Sequence, residues 1–194
     1  MSPMMHHHPC HSGSLLAGLL VLLGMPWVAQ AQAAPYEVEL IVFRQLDHEQ
    51  PMDPATLPRS PAADGPEALA GLVPLAPEAL QLGDIATRLR RSPAYRLVYH
   101  GGWQQQVDSQ ALALPSALPA AAADAGLQGA LSFYRERFLH VLVDIRLSAE
   151  GEPAGPGWHM RQSRRLRGTA LQYFDHPAFG LILAVRRPVG DEDP

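Results

Sequence analysis

The chain has 194 residues with 15 basic side chains, every one of them arginine, against 19 acidic ones, for a formal net charge of −4. A negative balance excludes the strongly basic surface of a general nucleic-acid binder. The single cysteine, Cys10, lies near the amino terminus and excludes both an internal disulfide framework and a thiolate metal site.

The amino-terminal segment reads as an export signal and not as part of a fold. A polar stretch over residues 1–14 precedes an apolar run over 15–28, and the small-residue sites Ala29-Gln30-Ala31 and Ala31-Gln32-Ala33 follow. Cleavage is predicted near Ala31 or Ala33, which makes residues 1–31 a signal peptide and the periplasm the working compartment. The apolar run, broken by Gly24 and Pro26, falls short of the roughly 20 residues that span a bilayer. No stable membrane anchor is expected. Cys10 precedes the apolar run, so it cannot take the lipid of a lipoprotein signal. His6, His7, His8 and His11 read as a weak positive region or a tag, not as metal ligands. About 160 residues then remain, the size of one domain.

The first element of the fold is a strand from Tyr36 to Arg44, apolar on both faces towards its end. Residues 45–77 carry seven prolines without periodicity and read as a long flexible loop. A helix opens at Pro77-Glu78 and places Leu82, Ile85, Ala86 and Leu89 on one face, with Arg88, Arg90 and Arg91 at its carboxyl end and Ser92-Pro93 as its stop. A strand over 95–105 follows, with Tyr95, Leu97 and Tyr99 on one face and a bulge or bend at Gly101-Gly102. Residues 107–126 form an Ala- and Pro-rich connector.

From Leu127 to Leu147 the alternation is strongest. Leu139, Val141, Val143, Ile145 and Leu147 share a buried face, while His140, Asp144 and Arg146 line a wet one. Arg135-Glu136-Arg137 marks either a hairpin turn or a bend in one long strand. A polar strand from Trp158 to Arg167, a structured loop over Thr169 to Gly180, a last strand from Leu181 to Arg187 and a disordered tail over 189–194 complete the chain. This order predicts an α+β fold over residues 35–188, a single domain with a mainly antiparallel β-sheet, one main helix packed on it and long Ala/Pro-rich loops.

No catalytic site is expected. The chain has no Gly-x-Ser-x-Gly or Ser-x-x-Lys pattern, its five histidines after the signal, His48, His100, His140, His159 and His176, show no His-x-x-x-His spacing, and His140 and Asp144, although on one strand face, stand about 13 Å apart and cannot share a metal alone. Paired carboxylates for glycan hydrolysis would need only proximity in space, but the acids fall mostly in the linkers. No cofactor and no metal are expected. The candidate ligand-binding residues are Arg164, Arg165 and Arg167 together with Tyr173, Asp175 and His176, since guanidinium forks take carboxylates and aromatic faces stack on sugars or peptide planes. The bland alternative has Arg165 and Arg167 in cross-strand ion pairs and Asp175 capping the turn before Pro177. Trp103, after the Gly-Gly bend, is either a carbohydrate platform or a core residue.

Several blocks in order, Tyr36-Glu-Val-Glu-Leu-Ile-Val-Phe-Arg44, Tyr95-Arg-Leu-Val-Tyr-His-Gly-Gly-Trp-Gln104, Arg137-Phe-Leu-His140, Ser163-Arg-Arg-Leu-Arg167 and Tyr173-Phe-Asp-His-Pro-Ala-Phe-Gly180, resemble the CsiV family. That resemblance implies a periplasmic, non-enzymatic protein that binds peptidoglycan and supports wall synthesis and cell shape through an outer-membrane lipoprotein activator of a penicillin-binding protein, LpoA. It assigns no residue a role. The expected partners are therefore peptidoglycan and an LpoA-like lipoprotein. The alternative is an envelope protein–protein adaptor that pairs through a sheet edge without direct glycan binding.

Overall fold

The computed structural model describes residues 34–47, 72–107, 115–135, 137–149 and 156–188, within the unit Ala31–Pro194. The expected signal peptide, most of the Pro-rich loop, part of the connector and the tail lie outside the described residues.

Strand β1 (Ala34–Gln45) is the centre of the fold because both of its faces are apolar. Tyr36, Val38, Leu40 and Val42 are buried on one side, and Ile41 and Phe43 on the other. It lies between β3 (Tyr95–Val107) and β9 (Phe179–Arg186), antiparallel to both. The short β2 (Val73–Pro74) and β8 (Gln172–His176) form the two edges, giving a five-stranded sheet in the order β2-β3-β1-β9-β8. A second, four-stranded sheet runs β4 (Pro115–Ala117), β5 (Leu127–Arg135), β6 (Leu139–Ser148) and β7 (Gly157–Arg165), antiparallel throughout.

The two sheets share one apolar core. Val38, Leu40 and Val42 of β1 and Leu181 and Leu183 of β9 pack with Leu131, Val141, Val143, Ile145 and Met160 of the second sheet. A separate cluster lies behind the first sheet, where Ala86 and Leu89 of helix α1 (Gly83–Arg91), with Leu82 just ahead of it, cover Ile41, Phe43 and Ala184. The layers are thus helix, five-stranded sheet and four-stranded sheet. This is the α+β, mainly antiparallel architecture that the alternation predicts, with one main helix on the sheet. The outer face of the second sheet carries His140, Asp144 and Arg146, opposite the buried Val141, Val143 and Ile145.

Four local readings change. The bulge is not at Gly101-Gly102. Val42 pairs with Tyr99 and Phe43 with Leu97, which leaves Val98 as the extra residue. One unpaired residue exchanges the faces, so Leu97 meets the helix while Tyr99 turns into the core between the sheets. At Gly102 an added side chain would meet Leu75, Leu80 and the Val38 carbonyl.

The helix begins at Gly83; Pro77 and Glu78 instead open a 3₁₀ turn, Pro77–Ala79. The connector holds β4 and a short helix α2 (Ala120–Asp124), whose Ala122 is fully buried in the core. Arg135 and Leu139 close a hairpin between β5 and β6, which resolves the choice between a turn and a bend. Finally, the expected loop before β9 is strand β8, joined to β9 through Pro177 and Ala178. Proline forbids a helix there but suits a turn, and Phe174 is buried between Tyr173 and Asp175, both exposed, as a half-buried strand requires. No helix among the described residues is long and apolar enough to cross a membrane.

Candidate functional site

Arg164 and Arg165 are neighbours in sequence but lie on opposite faces of β7. Register with β6 sets Trp158, Met160, Gln162 and Arg164 beside the buried Leu147, Ile145, Val143 and Val141, and sets Arg165 beside His140. Arg164 therefore points across to the first sheet. Its guanidinium donates to the Tyr173 carbonyl at 2.6 Å and lies 4.7 Å above the Phe174 ring. Gln162 makes the matching contact two residues earlier, donating to the Asp175 carbonyl at 2.7 Å. Carbonyls 173 and 175 sit on the edge of β8 that faces away from β9, so both side chains occupy an edge that would otherwise recruit another strand.

Tyr173 and Asp175 project from the other side of β8, towards the helix layer. The Tyr173 hydroxyl donates to Asp175 Oδ1 at 2.7 Å, and Gln45 Nε2 donates to the same oxygen at 3.2 Å and to the His176 carbonyl at 3.0 Å. The Tyr173 ring stacks parallel to Phe43 at 6.4 Å, and Tyr95 meets Phe43 edge-on at 5.1 Å. Tyr173 and Tyr95 are 46% and 38% exposed and flank the buried Phe43 ring, so two of the three rings are open to solvent. Partial burial, with the Asp175 hydrogen bond and charge added, pushes the Tyr173 phenol up to about 12. His176 accepts from the Ala178 amide through Nδ1 at 3.1 Å and packs its ring on Phe179 at 4.9 Å. Its Nδ1 is thereby committed to holding the turn.

Arg165 stands on the outer face of the second sheet with its guanidinium 4.6 Å from the exposed Phe138 ring. Arg167 is exposed just beyond the end of β7. Trp103 is fully buried between the sheets and donates to Gln105 Oε1 at 2.7 Å. A ring with no exposed surface cannot serve as a carbohydrate platform; of the two roles open to it, Trp103 has the core one. Tyr173, Asp175 and His176 thus come together on β8, Arg164 meets them through the backbone, and Arg165 faces elsewhere.

Sequence reasoning missed a buried charge cluster. Glu39 is fully buried on the helix side of β1, where its carboxylate accepts from the Gln81 and Leu82 amides at 2.8 Å each and from Arg186 at 3.2 Å, with His100 Nε2 at 2.9 Å. Arg186 also donates to Glu37 at 2.8 Å and to the Ala79 carbonyl at 2.9 Å. Burial pushes the Glu39 carboxyl up, but the hydrogen bonds from His100, Gln81, Leu82 and Arg186 outweigh it and hold the group below its usual value. The carboxylate also fixes the start of α1, because it takes the amides of residues 81 and 82 just ahead of the helix. The signal was a glutamate in an otherwise apolar strand.

On the outer face of the second sheet Asp144 faces His159 at 2.7 Å and Arg161 at 3.7 Å. Among the described residues no group of three His, Cys, Asp or Glu side chains is placed to hold a metal ion.

A family model described as "Peptidoglycan-binding protein, CsiV" matches residues 15–188 of the chain. No curated protein and no solved structure matches it.

Proposed function

Because the chain belongs to the CsiV family of peptidoglycan-binding proteins, we propose that it binds the wall in the periplasm as a non-enzymatic accessory of wall synthesis and cell shape. In this reading it acts with an LpoA-like outer-membrane lipoprotein that activates a penicillin-binding protein, after cleavage of its signal near Ala31 or Ala33. Family membership carries the binding class. The surface that best suits it is the rim where β7 meets β8, with Arg164, Arg167, Tyr173, Asp175 and His176; Arg165, the remaining candidate arginine, lies on the outer face of the second sheet.

Physical chemistry supports that choice in two ways. The exposed Tyr173 and Tyr95 rings, braced by the buried Phe43, offer apolar surface of the kind that stacks on sugar rings, and Asp175 beside Tyr173 offers an acceptor for sugar hydroxyls. Arg167 supplies an exposed guanidinium just past the end of β7. The adaptor reading finds less support at this edge, since Arg164 and Gln162 already occupy the β8 carbonyls that an added strand would use.

The test is co-sedimentation of the purified mature protein with isolated sacculi. The reading expects the protein in the pellet. A protein that stays in the supernatant, while a known wall binder sediments, refutes it. Crosslinking in cells, followed by identification of the attached proteins, tests the lipoprotein partner separately.

A further inference from the structure

The turn between β5 and β6 holds an arrangement of charge and ring that lies outside the rim described above. Phe138 is 43% exposed, and two guanidinium groups rest against its ring, Arg137 at 5.4 Å and Arg165 at 4.6 Å. Arg165 is held there by the sheet: it pairs with His140, and the next residue, Leu166, continues the ladder by donating to the Leu139 carbonyl at 2.8 Å. His140 in turn pairs with Tyr134, their rings stacked at 4.9 Å and 12°. A cross-strand row Tyr134-His140-Arg165 thus ends against Phe138 and Arg137.

The ion pairs among the described residues engage Arg161, Arg186, His100 and His159, and none engages Arg137 or Arg165. Two like charges on one ring repel each other, and cation–π contact offsets only part of that repulsion. Cation–π contact does not consume the N–H donors of a guanidinium, which can still reach an acceptor in the plane of the fork. A carboxylate between them would offset their repulsion and use that geometry through its two oxygens, whereas a neutral sugar hydroxyl would do neither.

We propose that Arg137, Phe138 and Arg165, with His140 and Tyr134 beside them, form a subsite for a carboxylate of the wall's stem peptide. The two forks take the carboxylate, and Phe138 packs against the aliphatic group next to it. This subsite rests on the wall-binding reading and specifies which part of the polymer is held.

Calorimetric titration of the mature protein with a soluble disaccharide-tetrapeptide, the same disaccharide without peptide, and the tetrapeptide form with its carboxylates amidated tests it. The tetrapeptide form should bind, and the other two should bind at least about tenfold more weakly, as loss of a charged hydrogen-bond pair requires. Arg137→Gln with Arg165→Gln should weaken tetrapeptide binding by a similar factor with an unchanged thermal midpoint. Arg165→Lys, which keeps the charge and loses the fork, should weaken it too, and decides the matter should the double variant fold poorly. Equal binding of the amidated form, or tetrapeptide binding unchanged in Arg165→Lys and in the folded double variant, overturns the proposal. So does binding to anionic lipid vesicles that the double variant loses while its tetrapeptide binding stays. Sacculus sedimentation run alongside separates the two levels: wild type that pellets without these discriminations sinks the subsite alone, and wild type that never pellets sinks the wall-binding reading as well.

Discussion

The ring of Phe43 occupies the space that a side chain at position 180 would need: the two residues pair across β1 and β9, and a methyl group added to Gly180 would collide with Phe43 Cζ. The glycine thereby lets Phe43 lie over the sheet between Tyr95 and Tyr173. Gly180→Ala should destabilise the fold by about 1–3 kcal/mol, the range for overpacking a filled site. Chemical denaturation measures it, and an unchanged midpoint would refute the contact.

Glu39 gives the second prediction. Removing one partner of a buried, multiply bonded charge strands the others, so Glu39→Ala should cost about 3–5 kcal/mol by the same measurement. The pH dependence has a definite sign. The folded-state value lies below the ordinary 4.5, so the native state binds fewer protons there than the unfolded chain. The contribution is fully present above about 4.5 and is lost as pH falls through the depressed value. Glu39→Gln removes a titrating group, and its stability should fall less steeply with acid than that of the wild type. Parallel acid limbs in the two proteins would contradict this.

Tyr173 should titrate above the ordinary tyrosine range, with a midpoint pushed up to about 12. Asp175→Asn removes the acceptor charge and should bring that midpoint down, which a difference titration of phenolate absorbance between the two proteins reads directly. No difference between them would mean that burial alone sets the value.

Arg164→Ala should uncover the edge of β8 without unfolding the protein. Arg164 is exposed, so the global cost should stay near 1 kcal/mol or less. Amides at 172 and 174, on the β9 side of the strand, should exchange faster with deuterium as β8 loosens, and self-association should rise as the bare edge finds partners. Exchange confined to wild-type rates would show that the edge needs no such guard.

What could be read from the sequence was local. Val141, Val143 and Ile145 alternate with Leu142, Asp144 and Arg146 without interruption, and that period fixes both the strand and its buried side. Val98 carries no such mark. Nothing in Tyr95-Arg-Leu-Val-Tyr distinguishes the residue that the ladder skips, so the face of Leu97 came out on the wrong side of Tyr99. The β8 strand was hidden by Pro177, whose effect on helices is stronger than its effect on hairpins. The Glu39 cluster was beyond reach for another reason: its partners lie 42, 61 and 147 residues away, and only the closed sheet brings them together. The candidate site divides in the same way. Tyr173, Asp175 and His176 share one strand and were found by proximity, whereas Phe43 and Gln45 join them only through β9.

Among the described residues β1 is the first strand, and one of its two hydrogen-bonding neighbours, β9, is the last to be made. A polypeptide emerging amino-terminus first therefore carries an unsatisfied central strand until residues 179–186 arrive, and neither the sheet core nor the helix layer on Ala184 can close before then. Such wiring makes closure of the central sheet wait for the carboxyl-terminal strand, while the β5-β6-β7 meander can pair earlier.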